Sequence, residues 1–137
     1  MSFRIVKGPQ SKNVYLPVTP STALPARSLV TFASGKLVAA TAATTAANIA
    51  GILVGAITAD DADYADDRLV GVEVPTQKQA IYEFPGTGFD ATDIGVDVDL
   101  TDNVSVDGAT SNVGVVRITK VLSATKAQGY LKINGSY

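Results

Sequence analysis

The sequence predicts an all-β protein, folded as a compact β-barrel or β-sandwich with an extended N-terminal arm. The first reason is that most of the 137 residues fall into short runs of alternating apolar and polar side chains separated by Gly, Pro or Asn. The second is that the 46% hydrophobic content comes from Val, Ile, Leu and Ala, with only 7% aromatic residues. The third is the spacing of the runs, which leaves no room for the long helices of βαβ units.

The chain is predicted to consist of an extended arm, residues 1–27, and a single β-rich domain, residues 28–137. The arm contains Pro9, Pro17, Pro20 and Pro25. Proline lacks an amide hydrogen and interrupts regular structure, so we expect no element longer than a few residues there, with "VYLPV" as an edge strand. The total length is that of one ordinary domain.

The first predicted elements of the domain are a hairpin and a central strand. "SLVTFASGKLVAAT" alternates on both sides of Ser34-Gly35, which is typical of a tight β-hairpin turn. The Ala/Thr-rich residues 38–50 predict a strand end followed by a short loop or one helical turn. "IAGILVGAIT" predicts a strand buried on both faces, in which Gly51 and Gly55 mark a bulge or a close backbone approach.

Six further short strands are predicted after the central one. Together with the earlier elements they give about eight to ten strands, the number typical of a sandwich or barrel. The sequences of these six are "RLVGVEVP", "QAIYEF", "VDVDL", "NVSV", "VGVVRITKVLS" and "GYLKI".

The composition removes most common catalytic machinery. The chain has no Cys and no His, which excludes thiolate zinc sites, disulfides, cysteine nucleophiles and triads with an imidazole base. We therefore expect no enzyme activity, no catalytic residue, no cofactor and no resident metal. The longest apolar run, "IAGILVGAI", is far shorter than the roughly 18 to 20 residues of a membrane-spanning helix, so we expect a soluble protein with no membrane partner.

Charge is distributed unevenly along the chain. Residues 1–59 have a net charge of +5, residues 60–107 of -11 and residues 108–137 of +4. Either the ends and the middle face different surroundings, or folding brings the ends beside the middle and neutralises them.

Five aspartates cluster within "ADDADYADDR": Asp60, Asp61, Asp63, Asp66 and Asp67. A calcium loop of the EF-hand kind needs Gly at its sixth position and Glu at its twelfth, and this stretch has neither. We predict a solvated loop, with Tyr64 holding it to the surface through its ring. A weak cation site is the alternative.

A second carboxylate pair, Asp97 and Asp99, is predicted on one face of a strand because the two residues are two positions apart. Glycoside hydrolysis would require one carboxyl of such a pair to have a raised pKa. Val96, Val98 and Leu100 occupy the other face, so the simpler interpretation is the polar side of an amphipathic strand. A carbohydrate- or calcium-binding domain, or a glycan hydrolase using either aspartate, is the alternative.

The arm is the predicted partner-binding segment, because an extended chain offers backbone groups for strand addition and side chains for pockets on a neighbour. Packing along its own barrel is the alternative for this segment. Nucleic acid is not an expected partner, since the arm is only weakly basic and the acidic middle would repel a polyanion. The predicted contact residues are Phe3, Arg4, Ile5, Val6, Lys7, Tyr15 and Leu16.

The order of features resembles the head decoration, or cement, proteins of tailed bacteriophages over roughly residues 22–134. These features are a hairpin such as "FASGKLV", an Ala/Thr-rich connection, the "IAGILVGAI" and "VGVEVP" strands, and a closing "VGVVRITKV" with "GYLKI". The resemblance implies a compact β-barrel or tulip-like β-domain that binds the outside of the capsid, commonly as a trimer, and braces major capsid protein subunits. It implies no cofactor and no catalysis, and it identifies no residue as a capsid contact.

The resulting hypothesis is a virion structural protein, made in the host cytoplasm and located on the outer capsid surface. The expected partners are the major capsid protein and further copies of the same chain. The second hypothesis is a tail or head-fibre module, which would bind a different partner through the same kind of interaction.

Overall fold

The computed structural model describes residues 3–7, 11–75 and 80–132. These residues form eleven strands and two short 3-10 turns, with no α-helix among them, and the strands close into two five-stranded mixed β-barrels, which confirms the all-β prediction. The strands are β1 (Arg4–Lys7), β2 (Ser11–Val18), β3 (Leu29–Ala33), β4 (Lys36–Ala39), β5 (Ile49–Leu53), β6 (Arg68–Pro75), β7 (Ile81–Thr87), β8 (Asp97–Leu100), β9 (Val106–Asp107), β10 (Val116–Ser123) and β11 (Lys126–Leu131).

The N-terminal barrel has the strand order β2-β4-β3-β5-β6. β2 and β6 pair antiparallel over their full lengths, and a parallel contact between Val18 and Leu37 joins β2 to β4. Inward-facing aliphatic side chains fill the interior. Alternation along β2, β5 and β6 supplies these side chains, because successive residues of a strand point to opposite faces.

The C-terminal barrel has the order β7-β11-β10-β8-β9 and closes through a short parallel pairing of β7 with β9. β1 adds to β7 outside this ring, antiparallel, with Arg4 opposite Glu83. Tyr82 and Phe84 of β7 are fully buried in the core of this barrel. The predicted last strand extends to Ile133, which lies outside the described residues.

Strands β3 and β5 lie between the two cores, which confirms the prediction of a central strand buried on both faces. Val30 and Leu53 point into the N-terminal barrel, whereas Leu29 and Ile52 belong to the core of the C-terminal barrel. All four side chains are completely buried. One pair of strands therefore supplies apolar surface to both barrels.

Glycines allow the tight turn and the bulge that the sequence predicted. Ser34 and Gly35 form the β3–β4 turn with φ values of 53° and 79°, the left-handed conformation of two-residue hairpins. Gly51 has φ 152° at a bulge opposite Val30, and an added Cβ would lie 2.5 Å from Val72 Cγ1. Gly55 has open space around it, so a close approach there was wrongly predicted.

The leading segment is extended, but its strands belong to the barrels. β2 is eight residues long and passes through Pro17, so the expected limit of a few residues was wrong. One edge of β2 is bonded throughout by β6 and the other only at Val18, and a strand with a largely open edge tolerates proline. The pairing of β1 with β7 and of β2 with β6 gives no boundary between residues 1–27 and the rest of the domain. The segment follows the alternative in which it packs along its own barrel.

No helix in the described ranges is long and apolar enough to cross a membrane.

Candidate interaction surface

The predicted contacts in β1 are used inside the protein. Phe3 has no exposed surface, and its ring centroid lies 5.5 Å from that of Phe84. Ile5 packs against the same core, and Arg4 forms a 2.9 Å ion pair with Glu83. Phe3 and Ile5 therefore stabilise the C-terminal barrel. Phe3 is not free to enter a pocket on a partner, and Ile5 is partly covered.

The chain before β1 is also fixed to the loop that precedes β3. The amide of Phe3 donates to the Arg27 carbonyl at 3.1 Å, and Arg27 Nε donates back to the Phe3 carbonyl at 2.9 Å. Val6 is half-buried, and the side chain of Lys7 lies outside the described part of the chain. Mutual hydrogen bonds of this kind hold β1 in place at both the backbone and the side-chain level.

The two predicted contacts in β2 point to opposite faces of the strand. Tyr15 is 70% exposed on the outside of the N-terminal barrel, the most exposed large hydrophobic side chain in the described residues. Leu16 points inward and packs against the barrel core. Of the seven predicted contact residues, Tyr15 is the one that the structure presents as an exposed apolar anchor.

Tyr15 belongs to a larger apolar face on the outside of β2 and β6 and of Val54, the residue that directly follows β5. Pro17 and Leu69 are cross-strand partners on this side, and Leu69 is 62% exposed. Val54 donates its amide to the carbonyl of Gly71, the partner of Tyr15. Because Gly71 has no side chain, Tyr15 and Val54 meet above it. We call Tyr15, Pro17, Val54 and Leu69 the apolar face.

Sequence reasoning did not identify Leu69 or Val54 as surface residues, although "RLVGVEVP" contained a signal for Leu69. Val70, Val72 and Val74 form one face of that strand, which leaves Leu69 on the opposite face with Gly71. The position of Val54 had no such signal, because it depends on how β5 pairs with β6.

The aspartate-rich loop lies directly before Leu69 and is held by its own hydrogen bonds. Asp61 accepts from the Thr58 amide and hydroxyl, both at 3.1 Å, and from Arg68 at 3.4 Å. The Thr58 amide is the largest of the influences that lower the pKa of Asp61, ahead of the hydroxyl and Arg68. Arg68 also contacts Asp63. The ring of Tyr64 packs against the barrel core, in agreement with its predicted anchoring role.

The three remaining aspartates of this loop are all exposed, and one of them also forms an ion pair. Lys36 contacts Asp67 at 2.5 Å, while Asp60 and Asp66 point to solvent. Within the described ranges, no three acidic side chains converge closely enough to hold a metal ion. The loop is a hydrogen-bonded acidic rim beside the apolar face.

Asp97 is an ion-pair residue. Its two oxygens accept from Arg117 Nε at 2.6 Å and Nη2 at 3.1 Å, and Lys132 adds a third contact at 2.5 Å. The Arg117 hydrogen bond is the largest influence on the pKa of Asp97, and together with Lys132 it outweighs burial and lowers that pKa. A glycosidase acid would require the opposite shift.

Asp99 is only 4% exposed and organises a loop. One of its oxygens accepts the amides of Val113 and Gly114 at 2.9 and 2.8 Å, and the other accepts the amide of Asn112 at 2.9 Å. Three backbone donors satisfy a buried carboxylate without a basic side chain. The contacts give both Asp97 and Asp99 structural roles.

A partly buried polar network connects the two barrels. Glu73 of β6 accepts from both terminal nitrogens of Arg27 at 3.1 Å and from the Tyr82 hydroxyl of β7 at 2.6 Å. Burial alone would raise the pKa of Glu73, but the bonds from Arg27 and Tyr82 outweigh it and lower that pKa. Burial is the largest cause that raises the pKa of the Tyr82 phenol, and the neighbouring Glu73 carboxylate raises it further. The network fixes the two barrels to each other.

The chain matches no protein-family model, and no curated protein is significantly similar to it. Neither comparison assigns it to a family. The function is therefore inferred from the chemistry of the surfaces described above.

Proposed function

We propose that this chain is a capsid decoration protein of a tailed bacteriophage. It binds the outer surface of the head and stabilises the shell by bridging subunits of the major capsid protein. Its copies associate with one another, as a homotrimer in the arrangement that the resemblance implies. The apolar face on the N-terminal barrel is the observation that carries this proposal.

The apolar face suits adhesion because its side chains are exposed together on hydrogen-bonded strands. Tyr15, Leu69 and Val54 are 70%, 62% and 40% exposed. Full burial of a side chain of this size is worth about 1.5–3 kcal/mol, so covering what is exposed in these three contributes roughly 2.5–5 kcal/mol per copy. A single site of this kind binds weakly. On a shell, many copies each stabilise the assembled state by mass action.

The rigidity of the molecule supports the same proposal. β2, β5 and β6 hold the apolar face by backbone pairing, and the Arg27–Glu73–Tyr82 network fixes one barrel to the other. A rigid surface loses little conformational entropy on binding. The acidic loop beside it favours solubility and repulsion between crowded copies.

A tail or head-fibre module would adhere through the same apolar face, but it would be located on a different part of the particle. Gold-labelled or difference electron microscopy of intact particles separates the two. Density spread over the outer head surface supports a decoration protein, and density confined to the tail or to fibres contradicts it.

Removing residues 1–20 is an unsuitable test of binding, because it deletes β1, β2 and the buried Phe3. The better variant is Tyr15→Ser with Leu69→Ser, which changes two side chains that are mostly exposed. The matched control is Ile94→Ser with Leu122→Ser, two exposed residues of the C-terminal barrel region. Circular dichroism should show that both variants are folded.

Binding to expanded capsids of the encoding phage is measured by co-sedimentation. We expect the Tyr15/Leu69 variant to bind at least tenfold more weakly, which corresponds to a loss of about 1.4 kcal/mol per site, and the control to bind like the unmodified protein. Full occupancy by the Tyr15/Leu69 variant would show that the apolar face is not the capsid-binding surface.

A further inference from the structure

The edge of β2 that faces β4 is unpaired along most of its length. On its other edge β2 pairs with β6 at every residue from Ser11 to Val18, without a shift of register. On the β4 side, the described residues show one pairing, between Val18 and Leu37. An unpaired strand edge presents its backbone N–H and C=O groups to another chain. We call residues 11–15 on this side the open edge; Pro17 beyond it has no N–H to offer.

A hydrogen bond of Thr19 shows which backbone groups of β2 face the open edge. The Thr19 amide donates to the carbonyl of Leu37 at 3.1 Å, on the β4 side. Backbone groups of successive residues in a strand point to opposite sides, so Ser11, Asn13 and Tyr15 face the same side as Thr19. In the described part of the chain, none of the backbone bonds outside the strand ladders involves these three residues. Each of them therefore offers one donor and one acceptor.

The open edge is complementary to itself. Asn13 is its middle residue, so a two-fold axis at Asn13 places this residue opposite its own counterpart and Ser11 opposite Tyr15 of a second copy. Opposite residues of an antiparallel pair whose groups face each other exchange both N–H···O bonds, so every donor of the open edge meets an acceptor. Because β6 already holds β2 straight, pairing costs less conformational entropy than the ordering of a flexible peptide.

We propose that two copies of this chain pair through their open edges, antiparallel and centred on Asn13. The two β2 strands then join two N-terminal barrels by one continuous strand pairing. Side chains of opposite residues lie on the same face of an antiparallel pair, so the apolar faces of the two copies point the same way. A two-fold contact does not close a trimer, so in a homotrimer this contact links one trimer to the next. The inference goes beyond the capsid proposal and does not depend on it.

Lys12 gives the contact a characteristic salt dependence. It is exposed, and in this register it lies opposite Val14 of the second copy, with the other Lys12 at the diagonal position. Diagonal neighbours are about 7–8 Å apart, which is within the Debye length of about 10 Å at 0.1 M ionic strength. The two like charges weaken the pairing at low salt. Lys12→Gln should therefore tighten the dimer roughly two- to fivefold in sedimentation velocity, and added salt should remove this difference.

Cysteine trapping tests the register, because the natural chain has no cysteine. Opposite, mutually bonded residues have Cα atoms about 5.5 Å apart, a spacing that a disulfide can span. Asn13→Cys should therefore form a covalent dimer about tenfold faster than Lys120→Cys, the control at an exposed position of β10. Ser11→Cys mixed with Tyr15→Cys should also cross-link. Tyr15→Cys alone should not, because the two Tyr15 positions lie at opposite ends of the paired stretch.

Hydrogen exchange of the unmodified chain tests the pairing without a mutation. The amides of Asn13 and Tyr15 should exchange about tenfold more slowly once the dimer predominates than they do at low protein concentration. The proposal is wrong if these amides stay unprotected at every concentration, if Asn13→Cys cross-links no faster than Lys120→Cys, or if Tyr15→Cys links to itself as readily. Protection that appears only after a different polypeptide, such as the major capsid protein, is added would assign the open edge to that partner and overturn the pairing of two copies.

Discussion

Removing the carboxylate of Asp99 should destabilise the protein strongly. The side chain is nearly fully buried and accepts three backbone amides at 2.8–2.9 Å. Leaving a buried donor unpaired costs about 1–3 kcal/mol, so three such donors would cost about 3–9 kcal/mol if the loop could not move. Asn112 is exposed and can reach water, which lowers the expected cost of Asp99→Ala to about 3–5 kcal/mol.

Asp99→Asn should cost less, for a geometric reason. The amide oxygen can keep the bonds from Val113 and Gly114, which share one carboxylate oxygen, but the amide nitrogen then faces the N–H of Asn112. One lost charge-assisted bond and one donor–donor contact predict a loss of roughly 1.5–3 kcal/mol.

The assay is urea denaturation at pH 7, with Asp102→Asn as the control. Asp102 is exposed and accepts the amides of Val104 and Ser105 on a single oxygen, which an asparagine can replace, so we expect a change below about 1 kcal/mol. An Asp99→Ala protein within about 0.5 kcal/mol of the unmodified one would refute the assigned role of Asp99. It would also reopen the question of why this carboxylate is buried.

Two further predictions concern the leading segment and the network between the barrels. Phe3→Ala should lower the unfolding free energy by about 3–5 kcal/mol, whereas Phe32→Ala, at a half-exposed position, should cost far less; equal losses in urea denaturation would contradict the burial of Phe3. Because the folded pKa of Glu73 lies below its unfolded value of about 4.3, its stabilisation is complete above that pH and is lost as the pH falls through the folded pKa. Glu73→Gln should therefore flatten the fall in unfolding free energy between about pH 5 and pH 2, measured against exposed Asp66→Asn, and parallel curves for the three proteins would exclude this contribution.

Local features of the chain were predictable because they depend on a few neighbouring residues. Alternation placed "RLVGVEVP" as β6 with its observed bounds, and Ser34-Gly35 marked the hairpin turn. The burial of β5 on both faces followed from its continuous apolar sequence. The absence of Cys and His was decisive for excluding whole classes of site, and it needs no structure.

The pairing of the strands could not be predicted from local patterns, because each pairing is a contact between residues that are distant in sequence. The parallel pairings of β2 with β4 and of β7 with β9 close the two barrels, and no local pattern encodes them. β1 looked like a free arm because its short run of four residues fits either an arm or an added strand. The core under Phe84 makes burial of Phe3 the favourable outcome.

The candidate surfaces were decided in the same way. Tyr15 could be proposed as a contact from its sequence, but Val54 and Leu69 join it only because β5 and β6 pair beside β2. Asp99 and the loop at Asn112 are far enough apart in sequence that only folding brings the carboxylate to its three donors. The sequence by itself determined the types of residue and the alternation of apolar and polar side chains along each strand. The tertiary structure determined which of those side chains are buried, because burial depends on the neighbouring strand as much as on the residue itself.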